Sequence, residues 1–331
     1  MSSQVDVLSS QGDIMSSQRD VLSSQGDASQ LWRTMSHEEL EQQYSPSRWS
    51  KRHSDQEIIE AHVRVANERS HAARTSVTHR RNIAYGHGPR AVLDVYGEDL
   101  PPESGVLVYV HGGYWQELDK DVSSYVVQPL HHHGVVTVVV GYDLAPQVTV
   151  EMIVKEVRTA VAWACRLANG RGSRCVVLAG WSAGAQLVIQ ALTAVETTRE
   201  SEITPYTDII RGVVCLSGVF DLRPLVSTYV NDPLQLTEST AWQLSPLASV
   251  GVLGRAWARL RVLVAVGQHD SPEFKRQSAE FCQECVTSGL RAEYLEVDFA
   301  DHFSIVEDLA DKDFILTQRI FTFLQDCHHG P

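Results

Sequence analysis

The pentapeptide Gly180-Trp181-Ser182-Ala183-Gly184 directly follows the apolar run Cys175-Val176-Val177-Leu178-Ala179 and leads into the helix-like stretch Ala185-Gln186-Leu187-Val188-Ile189. Strand, sharp turn and helix in that order constrain the chain more than any other feature, because a serine on such a turn is the nucleophile elbow of a serine hydrolase. Glycines two residues to either side let strand and helix pack closely, and the strained turn pushes the hydroxyl into solvent at the head of the helix. Without that context G-x-S-x-G is common by chance and fits an ordinary glycine-rich connection. The element order favours the elbow.

The rest of the chain supplies the sheet such an elbow needs. Residues 91–96, 106–110, 135–140, 175–179, 212–216, 261–266 and 292–297 are short β-branched runs, and residues 150–168, 183–195, 272–288 and 312–324 carry helical patterning between them. Continuous rather than alternating apolar residues imply strands buried on both faces. The expected fold is α/β, a mostly parallel central sheet flanked by helices on both faces. Residues 220–249, with Asn231-Asp232-Pro233 and Ser245-Pro246, break the rhythm after the sixth strand and read as a cap over the carboxyl ends of the strands. Before the sheet, residues 1–14 recur almost unchanged as residues 15–28. This Ser/Gln/Asp-rich tandem copy reads as an unstructured leader over residues 1–35, with the folded domain at 36–331 opening on a Ser-x-x-Glu cap signal at Ser36 and Glu39 and a helix over 55–75.

Charge and composition narrow the partners. A formal net charge of -13 argues against nucleic acid and anionic membranes. No apolar stretch approaches the about 18–20 residues of a membrane span, and the N-terminus lacks a secretory signal, so the cytosol is the expected compartment. The six cysteines, several inside apolar runs, read as reduced, and Cys282-x-x-Cys285 lacks the second pair or nearby histidine of a zinc site. His131, His132 and His133 form a local cluster, but consecutive residues at a helix end do not converge on one point and suit the helix dipole instead. No metal is expected. Neither a P-loop nor a dinucleotide fingerprint accompanies any strand, so no cofactor is expected either.

A serine hydroxyl needs a base within reach and a carboxylate to orient that base, in the chain order Ser, acid, His. Asp270 follows the strand 261–266 and precedes Ser271-Pro272, a loop-to-helix opening; its rivals are Asp221 and Asp143, the latter out of order. His302 lies in the loop between the last strand and the last helix and is preferred to His269, which neighbours the acid. After the strand 106–110, His111-Gly112-Gly113-Tyr114-Trp115 has the form of a loop that supplies oxyanion donors. The N–H groups of Gly112 and Gly113, joined by that of Ala183, are the expected hole. His111 braces the loop rather than reacting.

With these residues in place, the chain resembles the α/β-hydrolase superfamily and, within its HGG-containing branch, kynurenine formamidases (arylformamidases). The features are QQYSPSRW at 42–49, LDVYG at 93–97, HGGYW at 111–115, GWSAGAQL at 180–187 and HDSPEF at 269–274, in a likeness that spans residue 36 to the end. The duplicated leader departs from the family pattern. The resemblance implies Ser182 as nucleophile, Asp270 as acid, His302 as base, and hydrolysis of the small molecule N-formyl-L-kynurenine to L-kynurenine and formate. It also implies a nuclear share of the protein beside the cytosolic one. Tyr114 and Trp115 are expected to wall the acyl side, Phe220 and Tyr229 to hold the aromatic ring, and Asn231 or Arg223 to meet the amino-acid head group. Two alternatives stay open, a carboxylesterase for short acyl or aryl esters and an inactive hydrolase fold serving as a binding module. Oligomeric state is open as well, a homodimer included.

Overall fold

The computed structural model describes residues 28–193 and 202–329. The tandem leader falls, up to residue 27, outside the described residues. Defined structure begins before residue 36: Ala28–Thr34 form a 3-10 helix whose Trp32 is buried in the core, so the domain boundary moves toward the N-terminus. Helix α1 (His37–Gln43) starts on Ser36, whose hydroxyl accepts from the Glu39 N–H while the Glu39 carboxylate accepts from the Ser36 N–H. Helix α2 (Asp55–Ser76) starts on a second capping box at Ser54 and Glu57.

Among the described residues eight strands follow: β1 (His79–Ala84), β2 (Val92–Tyr96), β3 (Val106–Val110), β4 (Val136–Val140), β5 (Val176–Trp181), β6 (Ile210–Leu216), β7 (Arg261–Gly267) and β8 (Arg291–Val297). They form one sheet in the order β1-β2-β4-β3-β5-β6-β7-β8. Pairing is parallel from β4 through β8, and β2 is antiparallel to both of its neighbours. Strands β3 to β6 are buried almost throughout, and alternate residues feed two cores. Val106, Val108 and Val110 join one with Ile153, Val157, Leu187 and Phe281, while Leu107 and Tyr109 join the other with Ile58, Ala66, Leu130 and Phe321.

Helix α3 (Val127–His132) lies between β3 and β4, α4 (Val150–Arg171) between β4 and β5, and α5 (Ala183–Thr193) between β5 and β6. After β6 the chain makes a 3-10 turn (Arg223–Ser227) and helices α6 (Asn231–Leu234), α7 (Glu238–Gln243) and α8 (Pro246–Ala256). The inserted cap therefore runs past Ser249, because Pro246 at the first helical turn starts a helix that continues to Ala256. Helices α9 (Pro272–Thr287), α10 (Ser304–Glu307) and α11 (Ile315–His329) complete the fold. Chain order reverses around β3, which lies between β4 and β5, and the loops leaving β3 and β5 meet at this switch point, where ligands bind in open α/β sheets.

Candidate active site

Ser182 sits on the turn between β5 and α5 with φ +55°, a left-handed conformation that non-glycine residues rarely adopt. Its N–H donates to Leu216 O at 2.8 Å, continuing the β5–β6 ladder into the turn. The flanking glycines are required by contact: a Cβ on Gly180 would lie 2.3 Å from Gly184 O, and one on Gly184 would lie 2.2 Å from Val110 O. Ser182 is only 3% exposed, so its hydroxyl faces a covered cavity rather than open solvent. The cap and the N-terminal helices supply that cover.

His302 follows β8 and lines the same cavity as Ser182. Its Nδ1 lies 2.7 Å from Asp270 Oδ1, so Nδ1–H donates to the carboxylate and Nε2 is the nitrogen left for the cavity. Asp270, after β7, is almost fully buried, and its Oδ2 accepts from Ser217 Oγ at 2.6 Å and from the Gly267 N–H at 3.0 Å. Ser217, at the end of β6 with φ +44°, was not singled out in the sequence; a serine after an apolar run carries no signal of a partner 53 residues away. The His302 ring packs edge-on to Phe274 at 4.8 Å and tilted to Trp181 at 5.5 Å, and Trp181 Nε1–H donates to His302 O. Of the rivals, Asp221 is held by Arg223, Asp143 accepts from the Arg90 N–H, and the His269 ring is not among the cavity's lining groups.

The loop after β3 closes on the elbow. A Cβ on Gly112 would meet Trp181 O at 2.9 Å and Ser182 Cβ at 3.1 Å, so only glycine brings this backbone against the serine. Gly113 has φ +98°, and its carbonyl accepts from the Gln116 and Glu117 N–H groups. Among the described residues, the N–H groups of Gly112, Gly113 and Ala183 have no backbone acceptor. Gly113 lines the cavity; Gly112 and Ala183 are buried behind it. His111 donates from Nδ1 to Gly112 O and stacks on Tyr142 at 4.2 Å, and Tyr142 OH donates to the carbonyls of His111 and Gly112. Burial pulls the His111 imidazole down to about 4, so it is a neutral brace at physiological pH.

The cavity of about 230 Å³ is lined mainly by Pro46, Ile59, His62, Val63, Tyr114, Leu118, Tyr229, Val230 and Phe303 around the serine and histidine. A larger cavity, about 370 Å³, opens between Gly105, His133 and Phe321 and contains none of these residues. Of the residues expected to touch substrate, Tyr114 and Tyr229 line this cavity. Four other expected contacts do not. Trp115 is fully buried and donates from Nε1 to Gln186 Oε1, because φ +63° turns it away from the cavity into the core. Phe220 is fully buried and stacks on Phe281 at 4.3 Å. Asn231 is spent locally, accepting from the Leu236 N–H and donating to Val226 O and Leu236 O. Arg223 pairs with Asp221 and lies over Trp242 at 4.0 Å, outside the cavity lining.

Behind His302 lies a charged network that the sequence did not announce. Arg52 donates to Asp301 and to Glu307, Ser50 Oγ–H donates to Asp301 Oδ2, and His62 Nδ1 lies 2.9 Å from Glu307 Oε1. Burial would raise the Asp301 carboxyl, but hydrogen bonds from Arg52, the Ser304 N–H and Ser50 outweigh it and hold the group well below the usual carboxylate range. The histidine cluster at 131–133 does not converge: His131 faces Asp99, His133 stacks on Phe321 at 3.5 Å, and the His132 ring lies tilted to that of His131 at 6.3 Å. Among the described residues no group of three or more His, Cys, Asp or Glu is arranged to hold a metal, and no helix is long and apolar enough to cross a membrane.

A profile of the alpha/beta-hydrolase fold matches residues 107–302, the span from β3 to His302. Kynurenine formamidase of Danio rerio is 37% identical over 294 residues, covering 88% of this chain and 98% of the relative. Kynurenine formamidase of Salmo salar is 38% identical over 299 residues with the same coverage, 88% and 98%. Among solved structures, a candidate thioesterase from Silicibacter sp. TM1040 superposes with a TM-score of 0.67 at 26% identity, over 87% of this chain and 99% of that one. Elbow, glycine loop, acid and histidine therefore occur in a chain that matches formamidases from end to end of their length, and it belongs to the kynurenine formamidase family of the α/β-hydrolase fold.

Proposed function

We propose that this enzyme hydrolyses N-formyl-L-kynurenine to L-kynurenine and formate through a formyl-enzyme on Ser182. The observation that supports it most is the 2.7 Å contact of His302 with Asp270 at the wall of a cavity that His302 shares with Ser182 and Gly113. His302 Nε2 takes the Ser182 proton as Oγ attacks the formyl carbon, and the carbonyl oxygen, now an anion, accepts from the N–H groups of Gly112, Gly113 and Ala183. Protonated His302 gives that proton to the departing arylamine nitrogen, the C–N bond breaks, and formyl stays on Ser182 as an ester. Water, deprotonated by His302, attacks the ester; formate leaves and Ser182 regains its proton.

Hydrolase chemistry suits this substrate. An arylamine with an ortho ketone is a better leaving group than an alkylamine, which brings the amide within reach of a serine triad. Tyr114, whose OH donates to Tyr44 O, and Tyr229 are the ring contacts we assign. The six cysteines are all free and buried, which accords with a cytosolic enzyme. The test is turnover of N-formyl-L-kynurenine against p-nitrophenyl acetate. Formamide cleavage with kcat/KM at least comparable to the ester supports the reading; ester cleavage with no formamide cleavage rejects it in favour of a carboxylesterase.

A further inference from the structure

We infer that Glu117 is the specificity-determining residue of this cavity, the group that binds the ammonium of an amino-acid substrate. The inference rests on the function proposed above and concerns the part of the substrate that the acyl chemistry does not touch. An amino-acid side chain leaves a zwitterion at the far end of the aryl ketone, and a binding site must meet at least one of its charges. Asn231 and Arg223, the sequence's candidates, are occupied elsewhere.

Among the described residues Glu117 is the one Asp, Glu, Lys or Arg in the cavity lining. Of the other polar side chains there, His302 is engaged with Asp270, His62 with Glu307, Gln116 Nε2 with Val230 O and Tyr114 OH with Tyr44 O, while Ser47, Ser182 and Tyr229 carry only hydroxyl groups. The Glu117 carboxylate has neither ion pair nor hydrogen bond among the described residues, whereas nearby carboxylates such as Asp119 and Glu41 do. Its backbone is fixed all the same. The Glu117 N–H donates to Gly113 O at 3.0 Å, and Glu117 O packs so closely that a Cβ on Gly113 would meet it at 2.4 Å. One turn thus carries the proposed oxyanion donor Gly113 at its first residue and, at its fifth, an exposed glutamate with no protein partner among the described residues, which places a negative charge close to the acyl site.

Ile59, Val63 and Phe303 add apolar lining to the same cavity and, with Tyr114 and Tyr229, suit an aromatic ring. Glu117 also shares its mouth with Tyr229. Burial first, then the charges of Glu41 and Glu117, push the Tyr229 phenol up, against Ser45 and Arg48, which pull it down. An ammonium entering here exchanges water for an ionised carboxylate, a charge-assisted hydrogen bond. A substrate bearing only a carboxylate meets repulsion instead, so the same residue selects against acids.

Two substrates and one variant test this. The substrates are N-formyl-L-kynurenine and its desamino analogue, which keeps the ring, ketone, formyl group and carboxylate. The wild type should favour the amino acid, and Glu117→Gln should lose about tenfold of that preference, through KM rather than kcat. Glu117→Asp should keep part of it. An unchanged preference in Glu117→Gln overturns the inference, as does an equal loss of kcat on both substrates, which marks damage to the Gly113 turn. Failure of the proposed function is a separate result: the wild type then cleaves neither formamide. In that event the acetate esters of tyramine and p-ethylphenol carry the same comparison, and Glu117→Gln must still lower the preference for the cationic ester.

Discussion

Asp270 is hydrogen-bonded through both its oxygens. Oδ1 orients the His302 imidazole, while Oδ2 is held by Ser217 and the Gly267 N–H, so the carboxylate cannot rotate without breaking two bonds. An amide in its place would accept no proton-bearing Nδ1 with the same certainty and would favour the wrong tautomer. Asp270→Asn is therefore expected to lower kcat by about 10⁴-fold with KM little changed, the loss typical of a triad carboxamide. Ser217→Ala, measured beside it, should cost far less, because the Gly267 N–H remains. Steady-state kinetics on both variants check this. The positions of Ser182, Asp270 and His302 were legible because each follows a strand, and the structure places Ser182 and His302 on one cavity with Asp270 bonded to His302. The substrate contacts were less so. Trp115 follows a cavity-lining residue and Phe220 opens the cap, but left-handed φ at Trp115 and stacking of Phe220 on Phe281 send them into the core, and neither is written in local pattern.

The element that holds His302 is the loop from β8 to α10, and it is anchored from outside the sheet. Arg52, just before α2, donates to Asp301 beside His302 and to Glu307 on α10, and His62 of α2 donates to Glu307 as well. Removing Arg52 strands two buried carboxylates. Arg52→Gln should destabilise the fold by about 2 kcal/mol, less than breaking a fully buried pair because the Arg52 side chain is 35% exposed. The pH dependence has a definite sign. Burial opposes ionisation of both Asp301 and Glu307, yet their hydrogen bonds, from Arg52 and from His62, leave them depressed below their ordinary values. Their stabilisation is therefore complete above the ordinary carboxylate value of about 4 and is lost as pH falls toward the depressed folded values. Thermal melts from neutral to acid pH should show that decline in the wild type and a shallower one in Arg52→Gln. Element types were mostly legible, since seven apolar runs coincide with strands β2 to β8. Strand β1, with its sequence His79-Arg80-Arg81-Asn82-Ile83-Ala84, escaped because an edge strand exposed on most positions has no apolar run to read.

At the scale of the whole molecule, a mostly parallel sheet opens at its switch point and three separate pieces of chain roof the opening. The N-terminal segment contributes Tyr44, whose OH donates to Glu273 on α9, and Trp32, beneath the guanidinium of Arg223 at 5.7 Å. The β3 loop contributes Gln116, which donates to the cap at Val230 O. This roofing is long-range contact, and sequence pattern cannot report it. Its boundary is testable by truncation. A protein starting at residue 28 should keep the melting temperature and formamidase activity of the full chain, whereas one starting at residue 36 loses Trp32 and Arg33 with its Glu238 ion pair and should melt lower. The claim on which the whole account turns is that Ser182 carries the acyl group. The direct measurement is peptide mass spectrometry after reaction with a fluorophosphonate: the account predicts one adduct, on Ser182, formed in step with the loss of formamidase activity and absent from Ser182→Ala. An adduct on another residue, or full activity in the labelled protein, would contradict it.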